Sequence, residues 1–275
     1  MPRISIDTLD DPRLFPYRNL RDRKLAREGG LFIAEGHHIV RRLLASSLQV
    51  HSVLATPRRA AEIGQPPDER APLYVASPEL VNEIVGFRFH SGILAAGMRP
   101  PTPDLNALLR GLHEPLRVLV LPKVINTANL GLLLRTAAGF HVDAVLLGPA
   151  CCDPFYRQAV RQSMGAVFNM PLIRLTETET TLETLRRNHG MELIAAVLDP
   201  DATALPECPS PRRLGLLLGS EDHGLEPPLI ARCDRRVTIP MPAGTDSLNV
   251  ATSAAVLLYH FTLAASRPEA APHRQ

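Results

Sequence analysis

Several familiar signatures are missing from this 275-residue sequence, and each absence removes a class of function. No two of its 17 glycines are separated by a single residue, so there is no G-x-G-x-x-G loop and an ordinary dinucleotide site loses its main support. Gly92 to Gly97 and Gly219 to Gly224 have G-x-x-x-x-G spacing, but Met98 and Leu225 stand where a P-loop needs lysine. Neither G-x-S-x-G nor H-E-x-x-H occurs, which leaves a hydrolase elbow and a zincin site unsupported. The ten histidines are scattered, only His37 and His38 being adjacent, so no metal is expected. Cysteine is scarce: Cys151, Cys152, Cys208 and Cys233 lack C-x-x-C spacing, and reduced thiols in a cytoplasmic protein are expected. Aromatic residues make up only 4%, and Lys24 and Lys123 are the only lysines among 30 basic residues. The N-terminus has no apolar h-region, so no secretory signal is expected. The longest uncharged stretch, Ser247 to Ser266, is interrupted by Asn249, Thr252, Ser253, His260 and Thr262; it reads as a buried or dimer-facing helix, and no membrane partner is expected.

What is present describes an ordinary folded chain: 45% apolar, 21% charged, net charge +2. That excludes disorder, collagen and a disulfide miniprotein, and the length suits two modest domains. Prolines mark the organisation. Residues 65–70 read as a surface loop and the Pro-Pro-Thr-Pro stretch after Arg99 as a linker. The expected division is a substrate-binding domain over 1–99, a linker over 100–115, a catalytic domain over 116–265 and a flexible tail over 266–275. In the first part, apolar runs at Leu31, Val50 to Ala55, Leu73 and Ile93 alternate with helix-like segments, predicting a small α/β domain. In the second, the runs Arg117 to Leu121, Ala144 to Leu147, Leu193 to Val197, Leu214 to Leu218 and Val237 to Ile239 are continuously apolar. Strands of that kind are covered on both faces, so they predict a parallel sheet between helices.

Such sheets bind ligands at the carboxyl ends of their strands. Three loops there carry chemistry-bearing residues. In the first, Asn126, Thr127 or Asn129 can cap a helix on which Gly131 and Arg135 lie four residues apart on one face. That arrangement suits a phosphate or a polarised oxygen, and equally a plain capped helix with a solvated arginine. The second runs through Gly219, Ser220, Glu221, Asp222, His223 and Gly224, where the glycines free the backbone to turn and Glu221 must be paired or exposed; His223 reads as a turn residue. The third leads from Ile239 and Met241 to a helix for which Asp246 or Ser247 is a natural cap. Capping accounts for Ser247 but leaves Asn249 unexplained, asparagine being a poor helix former within a first turn.

In this order the three loops resemble the signature motifs of the SpoU/TrmH family, RNA ribose 2'-O-methyltransferases of the SPOUT superfamily. Asn129, Gly131, Arg135 and Ala137 match the first motif. Gly219, Ser220, Glu221, Gly224 and Leu225 match the second, and Ile239 to Met241 with Ser247 to Val250 the third. A block beginning at Arg161 looks like the family's Arg-x-Ser-x-Gly-Ala segment. Residues Leu20 to Arg27, then Leu31 to Gly36 and a helix, are similar to the ribosomal-protein-like domain that many members carry, and His90 to Ala95 resembles its end. Two departures stand out: Asn126-Thr127 replaces a common Asp-Pro, and Asp222-His223 a glycine and a polar residue.

The resemblance implies a SPOUT-type parallel sheet with a C-terminal trefoil knot, S-adenosylmethionine as cofactor, a homodimer with the active site near its interface, and tRNA or rRNA as substrate. Gly219, Ile239, Met241 and Leu248 would hold the cofactor, largely through backbone groups. Arg135 would meet the developing oxyanion or a phosphate, or act as base with help from a neighbouring group. Asn129 and Glu221 would orient Arg135 and the ribose, and Ser247 and Asn249 would position the hydroxyl and the cofactor end. Arg18, Arg21, Arg23, Lys24 and Arg27 form the densest basic segment, read either as an RNA contact or as a solvated helix. The competing reading is an RNA-binding or ribosome-assembly protein that keeps the fold without catalysis; a base-modifying SPOUT enzyme is disfavoured by the Ser-Leu-Asn motif.

Overall fold

The computed structural model describes residues 2–18, 20, 30–63, 71–242 and 247–266. The basic residues Arg21, Arg23, Lys24 and Arg27, the whole of the 65–70 loop, the candidate cap Asp246 and the tail beyond Ser266 lie outside the described residues.

Two compact units emerge. The first comprises Met1–Pro101 together with Asp153–Asn169, the second Thr102–Cys152 with Met170–Gln275. The first unit holds a five-stranded sheet of β1 (Arg3–Ser5), β2 (Leu31–Glu35), β3 (Val50–Ala55), β4 (Leu73–Val75) and β5 (Ile93–Met98), ordered β1-β4-β3-β5-β2. Only β5 runs against its neighbours. Helices α1 (His37–Leu44), α2 (Pro57–Glu62) and α3 (Pro78–Val85) follow the strands. In α1, Ile39, Val40, Leu43 and Leu44 recur at helical spacing and are all buried. Leu14, Tyr17, Ile33, Leu54 and Leu94 belong to the core, where Tyr17 Oη lies 2.8 Å from Ser52 Oγ.

In the second unit, seven strands form one sheet in which every pairing is parallel. They are β6 (Leu116–Leu121), β7 (Ala144–Leu147), β8 (Leu172–Arg174), β9 (Glu192–Ala196), β10 (Thr203–Ala204), β11 (Arg213–Leu217) and β12 (Arg235–Thr238), ordered β10-β12-β9-β11-β6-β7-β8. The continuous apolar runs are explained: all six residues of β6 are buried. Leu116, Val118 and Val120 pack with Leu109 and with Leu182 and Leu185, in one core cluster. Helix α4 (Leu105–Arg110) carries Leu109, and the two other leucines lie on a helix over Thr178–His189. On the chain also lie α5 (Thr127–Gly139) and a 17-residue helix over Val250–Ser266, which pack against each other.

The domain boundaries differ from the sequence expectation in two places. The linker expected over 100–115 contains α4, because Asp104 caps it: its Oδ1 accepts from the Ala107 N–H at 2.7 Å, and Leu109 is then drawn into the core. The segment Asp153–Asn169, expected inside the catalytic domain, joins the first unit. Glu35, only 8% exposed, accepts from Arg157 at 2.6 Å and Arg161 at 3.2 Å, and Arg99 meets Asp153 at 3.1 and 2.5 Å. Phe32 lies against Phe155 and Phe168, with ring centroids 5.0 and 5.5 Å away. A buried carboxylate without its guanidinium costs about 3–5 kcal/mol, so Glu35 holds this segment in place. The Arg161 block is therefore part of this packing: Ser163 Oγ donates to the Val160 carbonyl at 2.9 Å and accepts from the Gly165 N–H.

Candidate active site

The loops after β9, β11 and β12 meet in a cleft of about 890 Å³ within the second unit. Strand order places it where an open α/β sheet offers the carboxyl ends of its strands. Leu198, Leu218, Ile239, Met241 and Leu248 supply apolar wall, and Asn129, Glu221, Ser247 and Asn249 supply polar groups.

The turn after β11 demands its first glycine. A Cβ on Gly219 would stand 2.0 Å from the Gly224 carbonyl carbon and 2.3 Å from the Leu225 nitrogen, and this obstacle is backbone. The turn is closed by reciprocal hydrogen bonds of 3.0 Å between the backbones of Ser220 and Gly224, with Gly224 at φ 66°. Ser220 Oγ accepts from the His223 N–H, so His223 is held as a turn residue. Glu221 is carried out at the tip.

Helix α5 begins at the Asn126 cap, whose Oδ1 accepts from the Ala128 and Asn129 N–H groups at 2.9 and 3.2 Å. The side chain of Asn129 is thereby free for other work: its Nδ2 donates to Glu221 Oε1 at 2.5 Å, while its Oδ1 accepts from Asn249 Nδ2 at 3.1 Å. Asn249 in turn caps the last helix, its Oδ1 accepting from the Ala251 N–H at 2.9 Å and its carbonyl from the Ser253 N–H. This corrects the assignment of that cap to Asp246 or Ser247 and explains why asparagine stands there: it sits just before the helix and not within its first turn. One chain of side chains, Asn249 to Asn129 to Glu221, thus joins three loops that are distant in sequence.

Of the nine residues singled out from sequence, eight line this cleft: Asn129, Glu221, Ser247, Asn249, Gly219, Ile239, Met241 and Leu248. Arg135 does not. It lies six residues beyond Asn129, about one and two-thirds turns along α5, which places it on a different face. It is exposed, and no hydrogen bond or ion pair to it is found among the described residues. The spacing placed Arg135 beside Gly131, but Gly131 is buried against the core while Arg135 faces solvent. Sequence reasoning also missed Asp199 and Arg236, which line the cleft as an ion pair with Arg236 Nη1 to Asp199 Oδ2 at 2.5 Å. The only signal available was their position near strand ends.

Burial pushes the Cys233 thiol up to about 12 and raises those of Cys151 and Cys208, which makes them poor nucleophiles. Among the described residues no group of three or more His, Cys, Asp or Glu side chains is placed to hold a metal ion, and no helix is long and apolar enough to cross a membrane.

The sequence of residues 116–259, which contains every element of the cleft, matches the SpoU rRNA Methylase family. The chain belongs to this family. Within the SpoU rRNA methylases, it is 41% identical to an uncharacterized tRNA/rRNA methyltransferase of Mycobacterium bovis over 92% of this chain and 89% of that one. It is 25% identical to the 23S rRNA (guanosine(2553)-2'-O)-methyltransferase RlmP of Bacillus subtilis, over 93% and 98% of the two chains. A structure from Porphyromonas gingivalis assigned to the TrmH family of RNA methyltransferases superposes with a TM-score of 0.79 at 27% identity, covering 93% of this chain and 98% of that one. The SpoU methyltransferase AviRb of Streptomyces viridochromogenes, in complex with AdoMet, shares the fold at a TM-score of 0.78 and 19% identity, over 92% and 98% of the chains.

Proposed function

We propose that this chain transfers a methyl group from S-adenosylmethionine to a ribose 2'-hydroxyl of tRNA or rRNA. The observation that carries the reading is the Asn249–Asn129–Glu221 chain on the wall of the cleft. The family supplies the RNA methyl-transfer chemistry, and the name of the Bacillus subtilis relative adds the ribose oxygen.

The cleft suits the cofactor. Its walls combine apolar side chains for a purine with the backbone of the turn at Gly219 and with polar groups at one side, a donor set fitted to a nucleoside carrying an amino acid arm. Gly219, Ile239, Met241 and Leu248 would hold it. When bound, S-adenosylmethionine supplies an electrophilic methyl group on a sulfonium.

The work left to the protein is positional and protonic. A ribose hydroxyl is a poor nucleophile at neutral pH, so it must be held in line and its proton accommodated. The Glu221 carboxylate, aimed by Asn129, is the acceptor on the wall that is tied to this chain of side chains. Asn129 spends one amide hydrogen on Glu221 and its oxygen on Asn249, so its own orientation is fixed from both sides. The Ser247 hydroxyl and the second amide hydrogen of Asn249 are the donors that would hold the substrate oxygen.

Arg135 enters this scheme through a second copy of the chain. Val256 and Tyr259 are exposed on the last helix, and Tyr259 meets Phe140 edge-on at 6.3 Å; this apolar face suits a homodimer that would bring Arg135 to the partner's cleft. The first unit would bind RNA as a ribosomal-protein-like domain, and the knot would lie where the loops after β9, β11 and β12 cross, the strand order β12-β9-β11-β6 being far from chain order. The protein would work in the cytoplasm.

Nucleoside mass spectrometry of size-fractionated RNA, from cells with and without this protein, tests the reading. Loss of one 2'-O-methylated nucleoside from one fraction is expected and names the RNA class. Survival of every such nucleoside would favour the non-catalytic RNA-binding reading. Arg135→Ala is expected to abolish transfer with cofactor affinity nearly intact, and mixing it with Asn129→Ala subunits to restore activity. Equal loss of transfer and affinity would sink the role of Arg135.

A further inference from the structure

We infer that the ion pair of Asp199 and Arg236 is the subsite for the amino acid arm of the cofactor, Arg236 taking its carboxylate and Asp199 its ammonium. This rests on the reading of the cleft as an S-adenosylmethionine site.

The placement of the pair is the first reason. β12 carries two successive arginines whose side chains point to opposite faces, as strand geometry requires. Arg235 turns to Glu192 at 2.8 Å, whereas Arg236 turns to the cleft and meets Asp199 at 2.5 Å. Asp199 is itself fixed, its Oδ1 accepting from the Asp201 N–H at 2.9 Å. The side chains remain 47% and 29% exposed, so the pair contributes little to folding and its charges stay available to a ligand.

The second reason is charge. Among the described residues lining the cleft, Arg236 is the only arginine or lysine, set against Asp199, Glu221 and Asp222. The cofactor carries one anionic group, the carboxylate of its methionyl arm, next to an ammonium. A zwitterion is matched by a wall bearing one fixed carboxylate and one guanidinium side by side, and a guanidinium binds carboxylate through paired N–H groups. The third reason is topology: β11 lies between β9, which leads to Asp199, and β6, which leads to Asn129. The charged pair and Asn129 therefore flank β11 on opposite sides, with Glu221 carried on the turn between them, which leaves the β9 side for the arm and the Asn129 side for the substrate hydroxyl.

Calorimetric titration of the full chain with S-adenosylhomocysteine and with 5'-methylthioadenosine, which lacks the amino acid arm, tests this without reference to activity. Arg236→Gln is expected to weaken S-adenosylhomocysteine about tenfold or more while leaving 5'-methylthioadenosine within about twofold, as loss of a charge-assisted contact predicts. Asp199→Asn should act in the same direction, and Arg236→Lys should recover part of the affinity. If Arg236→Gln weakens both ligands alike, or neither, the assignment is overturned, and an unchanged thermal midpoint in each variant keeps that conclusion free of misfolding. Failure of the unsubstituted protein to bind either nucleoside would instead overturn the cofactor reading itself.

Discussion

Asn249 performs two jobs with two different atoms, and they can be separated. Its Oδ1 caps the last helix at 2.9 Å from the Ala251 nitrogen, and its Nδ2 anchors Asn129 at 3.1 Å. Asn249→Ala removes both. Loss of the cap costs about 1 kcal/mol, which for a domain of this size lowers Tm by about 2–4 °C. Loss of the anchor loosens Asn129 and with it the carboxylate of Glu221; forfeiting this neutral amide–amide hydrogen bond costs about 0.5–1.5 kcal/mol, or about a 2- to 13-fold fall in kcat if the geometry matters only to the chemical step. Asn249→Ser keeps a cap oxygen but has no amide to offer Asn129. Its Tm is therefore expected to match the parent while its turnover falls with that of the alanine variant. The assay is transfer of labelled methyl from S-adenosylmethionine into RNA from cells lacking the protein, at saturating cofactor, with S-adenosylhomocysteine affinity and Tm measured in parallel. A serine variant with full turnover would refute the anchoring role, and an alanine variant with unchanged Tm would refute the cap.

Three other outcomes are expected. Glu221→Gln keeps an oxygen for Asn129 but removes the charge, so kcat should drop about tenfold or more with S-adenosylhomocysteine affinity unchanged; unchanged kcat would remove Glu221 from the proton's path. Gly219→Ala forces a Cβ to 2.0 Å from backbone, and since neither strand end nor turn can yield cheaply, a loss of about 1–3 kcal/mol is expected by urea unfolding, together with loss of cofactor binding. Burial, with Arg213 and Arg110 nearby, lowers the pKa of His189, whose Nε2 lies 2.8 Å from Asn106 Oδ1. The folded state then binds fewer protons than the unfolded one below about pH 6.5, so this contribution is complete above that pH and lost as pH falls through it. His189→Gln should flatten the fall of Tm between pH 7 and 5, and an unaltered slope would exclude it.

How much of this was legible in the chain follows from the range of the forces involved. Parallel strands buried on both faces write themselves as unbroken apolar runs, so the core strands β6, β7, β9, β11 and β12 could be read to within about two residues. The short edge strands β1, β8 and β10, of two or three residues, carry too little pattern to be seen. The helix α4 was hidden by the prolines around it, although Asp104 stood at its cap. The motif residues located the cleft because turns and caps are local: Gly219 must be glycine for its own turn, and Asn126 must cap the helix that presents Asn129.

Three things were decided only in the folded chain. The segment Asp153–Asn169 left its sequence neighbours for the first unit because Glu35, more than a hundred residues away, needed Arg157 and Arg161 once buried. Arg135 was separated from Asn129 by helical rotation, which motif spacing does not display. The pairing of Asn249 with Asn129, and of Asp199 with Arg236, depended on strand order, which brings loops from distant positions together at one end of the sheet. The sequence by itself determined the strands, the turns and the chemistry on offer, because those follow from neighbours along the chain. Which of those groups would touch was decided by the tertiary structure, because hydrogen bonds and ion pairs act over a few ångströms of space and take no account of distance along the chain.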